Sequence, residues 1–115
     1  MQDYKSQPLE KRQADCEKVL KKFPSKVPVI VTRAETSKLP ALEKEKFLIP
    51  KDLSVLEFEA LIRKKLVLGE KEALFISIDN KSMSKKDSDM GSVYESKKSE
   101  DGFLYAVYAE ENVKG

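Results

Sequence analysis

The chain contains no histidine, no tryptophan and one cysteine, and only four of its 115 residues are glycine. Without histidine there is no imidazole base, no Ser-His-Asp or Cys-His arrangement and no histidine metal ligand. One cysteine forms neither an internal disulfide nor a thiolate metal cage, and the few glycines make no phosphate-binding loop. These absences argue against an enzyme, and the sequence assigns no catalytic residue, no metal site and no cofactor.

Long hydrophobic runs are also missing. No apolar run approaches the roughly 18 residues of a spanning helix, and residues 1–6 are too polar for a signal peptide. A chain of this length corresponds to one domain, and 40% apolar with 37% charged residues indicates a globular protein with a heavily charged surface. We therefore expect a cytoplasmic domain.

Charge is unevenly distributed along the chain. Residues 1–26 hold seven basic and four acidic residues, whereas residues 27–115 hold 15 basic and 16 acidic ones. A basic arm on a near-neutral body suggests contact with an acidic surface such as anionic lipid, tubulin or RNA, and a solvated helix face is the alternative. Nucleic acid is not an expected partner, because the aromatic and basic interleaving of an RNA-binding sheet is absent.

The first amphipathic pattern predicts a helix over residues 9–22, which begins after Pro8 and ends before Pro24. Its apolar side consists of Leu9, Cys16, Val19, Leu20 and Phe23. Its polar side consists of Arg12, Asp15, Lys18 and Lys22. Because Cys16 falls on the apolar side, we expect an inert core thiol rather than a reactive one.

The remaining pattern predicts a mixed sheet crossed by a second helix. Ser54 and Glu57 form a capping box that starts this helix. Strands are predicted over residues 27–32, 46–49, 73–78 and 103–108, with a short helix over 92–98 and a polar loop over 80–89. The order gives an α+β, ubiquitin-like β-grasp with a four-stranded mixed sheet and an added N-terminal helical segment. The expected organisation is a helical arm (1–26), a core (27–109) and a flexible tail (110–115).

Several segments resemble one family when they are taken together. They are E-K-R at 10–12, V-P-V-I at 27–30, K-F-L-I-P at 46–50, I-R-K-K at 62–65 and D-G-F-L-Y at 101–105, followed by Gly115. The chain is similar over residues 8–115 to the autophagy ubiquitin-like modifiers, which include the GABA-receptor-associated and microtubule-light-chain proteins. D-G-F-L-Y and I-R-K-K, in this order and spacing, are the specific part of the resemblance.

The resemblance implies a modifier rather than a catalyst. Activating and conjugating enzymes would carry the chain as thioesters and join Gly115 to the amine of phosphatidylethanolamine, on an autophagosomal membrane. A glycine suits this role because, having no Cβ, it allows close approach inside narrow enzyme clefts. Cargo receptors and other autophagy proteins would then be recruited there, and tubulin is a further candidate partner.

The resemblance also implies a groove for peptides carrying an aromatic residue, two spacers and an aliphatic residue, which add a strand beside residues 46–49. The aromatic pocket would contain Asp15, Val19, Pro28, Ile30, Lys46, Leu48 and Phe103. The aliphatic pocket would contain Phe47, Ile49, Pro50, Leu53, Phe58, Leu61 and Ile62. Lys26 and Lys65 match basic positions that meet acidic residues beside the motif.

The sequence departs from the family pattern in three places. Val113 and Lys114 replace a threonine and an aromatic residue before Gly115. Ser77 stands where an aromatic residue is common, and the loop over residues 80–86 lacks the usual Leu-Pro-Pro-Thr turn. An unconjugated adaptor, which binds the same motifs or the cytoskeleton, therefore stays open as the alternative function.

Overall fold

The computed structural model describes residues 4–69, 71–78, 81–82 and 85–110. After a 3₁₀ turn (Tyr4–Ser6), the elements are α1 (Leu9–Lys22), β1 (Lys26–Arg33), β2 (Lys46–Pro50), α2 (Val55–Lys65), β3 (Phe75–Ile78), β4 (Lys81–Ser82), α3 (Met90–Lys97) and β5 (Leu104–Ala109). The sheet has the order β2-β1-β5-β3-β4. β1 and β5 are parallel and the other pairs are antiparallel. The predicted α+β β-grasp is confirmed.

The sheet gains a strand that the sequence did not indicate. The prediction of four strands omitted β4, whose two residues pair with Ser77 and Ile78 of β3. β4 lies at the edge of the sheet and in a polar segment predicted as loop, so neither length nor hydrophobic alternation marked it. The third strand also begins at Phe75 rather than residue 73.

The helix starts follow from side-chain caps. Ser54 Oγ accepts a hydrogen bond from the Glu57 N–H at 3.1 Å, and the Ser54 N–H donates to Glu57 Oε1 at 3.0 Å, so the predicted capping box is confirmed. The prediction that α3 starts at residue 92 was wrong by two residues. Asp89 caps this helix by accepting from the Ser92 N–H at 2.7 Å, which places the first helical residue at Met90.

The two faces of the sheet carry separate apolar clusters. Strand alternation directs Val27, Val29 and Val31 of β1 to the main core, where α2 and α3 cover the sheet. Ile30 points to the other face and joins a smaller cluster beneath α1 with Tyr4, Cys16 and Phe103. Cys16 is buried, as predicted, and burial raises the pKa of its thiol.

A buried ion pair attaches α1 to the turn before β5. Arg12 Nη1 lies 2.7 Å from Asp101 Oδ2, and the Asp101 side chain is fully buried. Asp101 also accepts from the Tyr105 hydroxyl and, at 2.9 Å, from the Phe103 N–H. The sequence places Arg12 on the polar side of α1 but does not indicate this pairing, because the carboxylate lies 89 residues away and a local pattern does not show it.

Candidate functional site

Among the described residues, no strand pairs with the outer edge of β2. β2 is the outermost strand at this side of the sheet and contacts β1 through a register that runs from Lys26↔Pro50 to Ile30↔Lys46. The Val31 N–H donates to the Glu45 carbonyl, and the Lys51 N–H donates to the Ser25 carbonyl. Because an antiparallel ladder alternates, the backbone groups of Lys46 and Leu48 face away from β1.

The predicted aromatic-pocket residues gather on the α1 face of this edge. Pro28, Ile30 and Phe103 are buried, with Ile30 and Phe103 in the small cluster beneath α1. Register places Ile30 opposite Lys46 and Pro28 opposite Leu48, so the pocket has two layers along the strand. Asp15 and Val19, one helical turn apart on α1, are half-buried, as is Leu48, whereas Lys46 is exposed.

Tyr4 belongs to the same site and was missed by sequence reasoning. Its hydroxyl donates to Asp15 Oδ2 at 2.9 Å, and its ring meets the Phe103 ring edge-on, with centroids 5.3 Å apart. Lys46 Nζ lies 4.1 Å from the centroid of the Tyr4 ring. Tyr4 was overlooked because its neighbours are polar and show no periodicity; a lone aromatic residue just before an amphipathic helix is the only available signal.

Hydrogen bonding couples the titration of the two side chains. The Tyr4 hydroxyl bond, followed by the nearby charges of Lys11 and Lys46, lowers the pKa of the Asp15 carboxyl despite partial desolvation. Burial, together with the same hydrogen bond to Asp15, raises the pKa of the Tyr4 hydroxyl. The contact therefore favours a charged Asp15 and a protonated Tyr4.

We expect Tyr4→Phe to move the pKa of Asp15 back up towards its ordinary value of 3.8. Since the folded-state pKa is depressed, the contact adds stability above about pH 4 and loses it as the pH falls through the folded value. Carboxyl-carbon NMR titration measures the pKa, and urea unfolding at a series of pH values measures the stability. Asp89, whose pKa is lowered by the Ser92 N–H, is an internal control that stays unchanged. An unaltered Asp15 titration in Tyr4→Phe would contradict the contact.

Most of the predicted aliphatic-pocket residues lie on the opposite face of β2, towards α2, whereas Pro50, the last residue of the strand, alternates with Ile49. Ile49, Phe58 and Ile62 are almost fully buried in the main core. Phe47, Leu53 and Leu61 are half-buried and pack against that core, and Pro50 is exposed. The accessible part of this set therefore consists of Phe47, Pro50, Leu53 and Leu61, above a floor formed by the core residues.

The basic positions around the groove differ in their surroundings. Lys26 is half-buried at the start of β1, opposite Pro50, and Lys65 is exposed at the end of α2. Arg63 beside it has a structural task, because its guanidinium donates to the carbonyls of Gly69 and Glu72 at 3.0 and 2.6 Å. Lys26 therefore lies beside the last residue of β2, and Lys65 presents an exposed cation at the end of α2.

Some predicted features lie outside the described residues. These are Gly115, Val113 and Lys114 of the tail, and Asn80, Met83 and Ser84 of the loop. Within the described ranges, no group of three or more Cys, Asp or Glu side chains is arranged to hold a metal ion. None of the helices in this part of the chain combines the length and apolar character needed to cross a bilayer.

A mixed sheet crossed by a capped helix, with a further helix docked on its other face, defines a ubiquitin-like domain with an N-terminal extension. The family model described as autophagy protein Atg8 ubiquitin like matches residues 11–115. Autophagy-related protein 8e of Arabidopsis thaliana is 45% identical over 107 residues, covering 93% of this chain and 87% of that protein. Autophagy-related protein 8d of the same plant is 43% identical over 108 residues, covering 94% and 89%. The chain therefore belongs to the Atg8 family of ubiquitin-like autophagy proteins.

Proposed function

We propose that this protein is a modifier that is conjugated through Gly115 to phosphatidylethanolamine on autophagic membranes, where it recruits proteins carrying an aromatic-x-x-aliphatic motif. The observation that carries the recruitment half is the free edge of β2, flanked by apolar residues on both faces. Family membership, with a match that extends to residue 115, supports the conjugation half. Cargo receptors, other autophagy proteins and the enzymes of the conjugation pathway are the expected partners.

The spacing of the motif fits the geometry of the edge. Successive side chains of a strand point to opposite faces, so residues three apart also point to opposite faces. An added strand beside β2 would place its aromatic side chain on the α1 face, near Val19 and Leu48. Its aliphatic side chain would then lie on the α2 face, near Phe47 and Leu53.

The free energies of side-chain burial and strand hydrogen bonding lead us to expect peptide binding in the micromolar range or weaker. Burial of the two anchor side chains contributes roughly 2–3 kcal/mol each, and each strand hydrogen bond adds about 1 kcal/mol. Ordering a flexible peptide offsets much of this gain. Before this offset, two anchors and about three strand bonds sum to about −8 kcal/mol, which corresponds to about 1 μM, so we expect a dissociation constant in the micromolar range or weaker.

Introducing a positively charged side chain into the groove tests peptide binding. We expect Leu48→Arg to lower the affinity for a Trp-x-x-Leu peptide by at least about 30-fold, because the new cation lies where the aromatic side chain of the peptide would bind. Leu56→Arg is the matched control, since Leu56 is 61% exposed on α2 and should change affinity less than about twofold. The chain has no tryptophan, so peptide emission reports binding directly. Equal affinities of the two variants for the peptide would contradict the proposal that the peptide binds in this groove.

Conjugation is tested by reconstitution with activating and conjugating enzymes, ATP and vesicles containing phosphatidylethanolamine. The lipid amine attacks the thioester carbonyl, an amide forms and the enzyme thiol leaves. Intact mass should show a lipid-sized increment on the unaltered chain and none on Gly115→Ala. If a conjugated Atg8 relative reacts in the same mixture and this chain does not, the unconjugated adaptor becomes the better proposal, with Lys114 as the first residue to exchange.

Tubulin is a second candidate partner, favoured by the exposed lysines of α1. Lys18, Lys21 and Lys22 are exposed on this helix, and Lys21 pairs with Glu17 at 3.5 Å. Contact between these lysines and an acidic surface should weaken steeply with salt. Co-sedimentation with microtubules at low and high salt tests this contact. Binding that does not change with salt would show that the exposed lysines of α1 are not responsible for it.

A further inference from the structure

The side chain of Tyr4 contacts three residues that the proposed function assigns to the binding of a peptide ligand. They are Asp15 through the hydroxyl, Phe103 through an edge-on ring contact and Lys46 through its ammonium group. Tyr4 itself is only 8% exposed. A peptide ring placed among Asp15, Lys46 and Phe103 would therefore meet the same atoms that Tyr4 already holds.

We infer that Tyr4 is an internal occupant of the aromatic pocket and determines which peptide rings bind well. The inference rests on the proposed peptide-binding function and adds a residue to it. Tyr4 packs in one cluster with Ile30 and lies under the Lys46 ammonium group, so it occupies the layer of this opposed pair, and a ligand ring would use the half-buried Leu48 of the neighbouring Pro28–Leu48 layer. A single-ring side chain fits the second layer, whereas the larger indole extends into the first and displaces Tyr4.

The chain is built so that Tyr4 can leave without undocking α1. Tyr4 belongs to a three-residue 3₁₀ turn, and Pro8, with extended backbone angles, separates this turn from α1. The helix is held independently by the Arg12–Asp101 pair at 2.7 Å and by Cys16 in the small core. Arg12 Nε also donates to the Gln7 carbonyl at 3.0 Å, which fixes the chain just before the helix.

Release of Tyr4 has a definite energetic cost. A hydrogen bond to a charged carboxylate, an edge-on aromatic pair and a cation–π contact are all broken together. A displacing ring recovers part of this loss by contacting Lys46 and Phe103. The net cost therefore falls on ligands with a large aromatic side chain and leaves smaller ones almost unaffected.

The affinities of two peptides test the inference. The peptides differ only in Trp or Phe at the aromatic position, and isothermal titration calorimetry measures both. We expect Tyr4→Ala to raise the affinity for the Trp peptide about fivefold and the affinity for the Phe peptide less than about twofold. Tyr4→Phe keeps the ring but loses the hydrogen bond to Asp15, so it should raise the affinity for the Trp peptide about twofold. This second variant preserves the test if Tyr4→Ala fails to fold.

A control variant and a direct observation complete the experiment. Phe75→Ala truncates an aromatic ring that is 43% exposed on β3, away from β2, and should leave both affinities unchanged. In NMR spectra of the unaltered chain, cross-relaxation between the Tyr4 and Phe103 rings should vanish when the Trp peptide saturates the protein. It should persist with the Phe peptide.

The outcomes separate the two proposals. If the unaltered chain binds both peptides and Tyr4→Ala weakens binding or leaves it unchanged, Tyr4 is a wall of the pocket and the inference fails alone. Persistence of the Tyr4–Phe103 contact at saturation with the Trp peptide also overturns it. If no variant binds either peptide, the peptide-binding function fails, and the inference fails with it.

Discussion

Asp101→Asn is expected to lower the free energy of unfolding by about 3 kcal/mol. The substitution removes the charge that pairs with Arg12 at 2.7 Å and leaves the guanidinium, whose side chain is 13% exposed, without its anion. Arg12 and the Tyr105 hydroxyl donate to Oδ2 and the Phe103 N–H donates to Oδ1, so either orientation of the new amide turns its N–H groups towards a donor. Because removal of one partner from a buried pair leaves an unpaired charge, the loss exceeds the value of the pair itself.

Urea unfolding, monitored by circular dichroism, measures this loss. Glu95→Gln is the matched control, because Glu95 and Lys98 form an exposed pair at 3.3 Å that should contribute almost nothing. Combining Asp101→Asn with Arg12→Met should restore part of the stability, since the unpaired cation is then absent. Equal small effects of Asp101→Asn and Glu95→Gln would show that the pair does not hold α1.

Gly102→Ala is expected to cost about 3 kcal/mol, through two additive causes. Gly102 has φ of +93°, which L side chains rarely adopt. A Cβ at this position would also lie 2.7 Å from Cys16 Sγ and 3.4 Å from Cys16 Cβ. The glycine thus lets the turn before β5 approach the underside of α1.

A double-mutant cycle separates the two causes. In a Cys16→Ala background the sulfur contact is gone, so Gly102→Ala should cost about 1 kcal/mol, which is the backbone part alone. Gly69→Ala is the control, because its added Cβ would meet only Glu72 Oε1 at an ordinary 3.5 Å. An undiminished cost in the Cys16→Ala background would assign the whole effect to backbone strain.

The sequence predicts the helices well because their signals are local. The bounds of α1 agree with prediction, since Pro8 and Pro24 flank a clear apolar stripe. The capping box locates the start of α2 for the same reason. Asp89 also acts locally, yet it was taken for part of a loop, because the apolar residues of α3 are too few to show a periodicity.

The missed features depend on contacts between distant segments. The sequence identified Asp101 as the first residue of the D-G-F-L-Y segment but not as an ion-pair partner, because Arg12 lies 89 residues earlier. Tyr4 is buried by Asp15, Lys46 and Phe103, which come together only after the sheet forms. β4 exists through its pairing with β3. No window of neighbouring residues contains this information.

For the candidate site, the sequence proposes a set of residues but does not show how exposed each of them is. Resemblance supplied the two sets of groove residues, and the register of β1 with β2 shows why they divide between opposite faces. Ile30, Ile49, Phe58, Ile62 and Phe103 are buried, so in the proposed groove they would form the floors of the two pockets. Half-exposed residues such as Val19, Leu48 and Phe47 are left as the surfaces that a ligand can touch.

Because Cys16 is buried beneath α1, the rate at which its thiol is labelled reports how often α1 opens. Cys16 is the only thiol in the chain and is 2% exposed, with a pKa raised by burial. A thiol reagent can therefore react only during moments when the helix lifts from the sheet. When reclosing is faster than reaction, the labelling rate is proportional to the population of the open form. Labelling in the presence and absence of a bound peptide would then report, without any engineered probe, whether occupying the groove clamps the helix or loosens it.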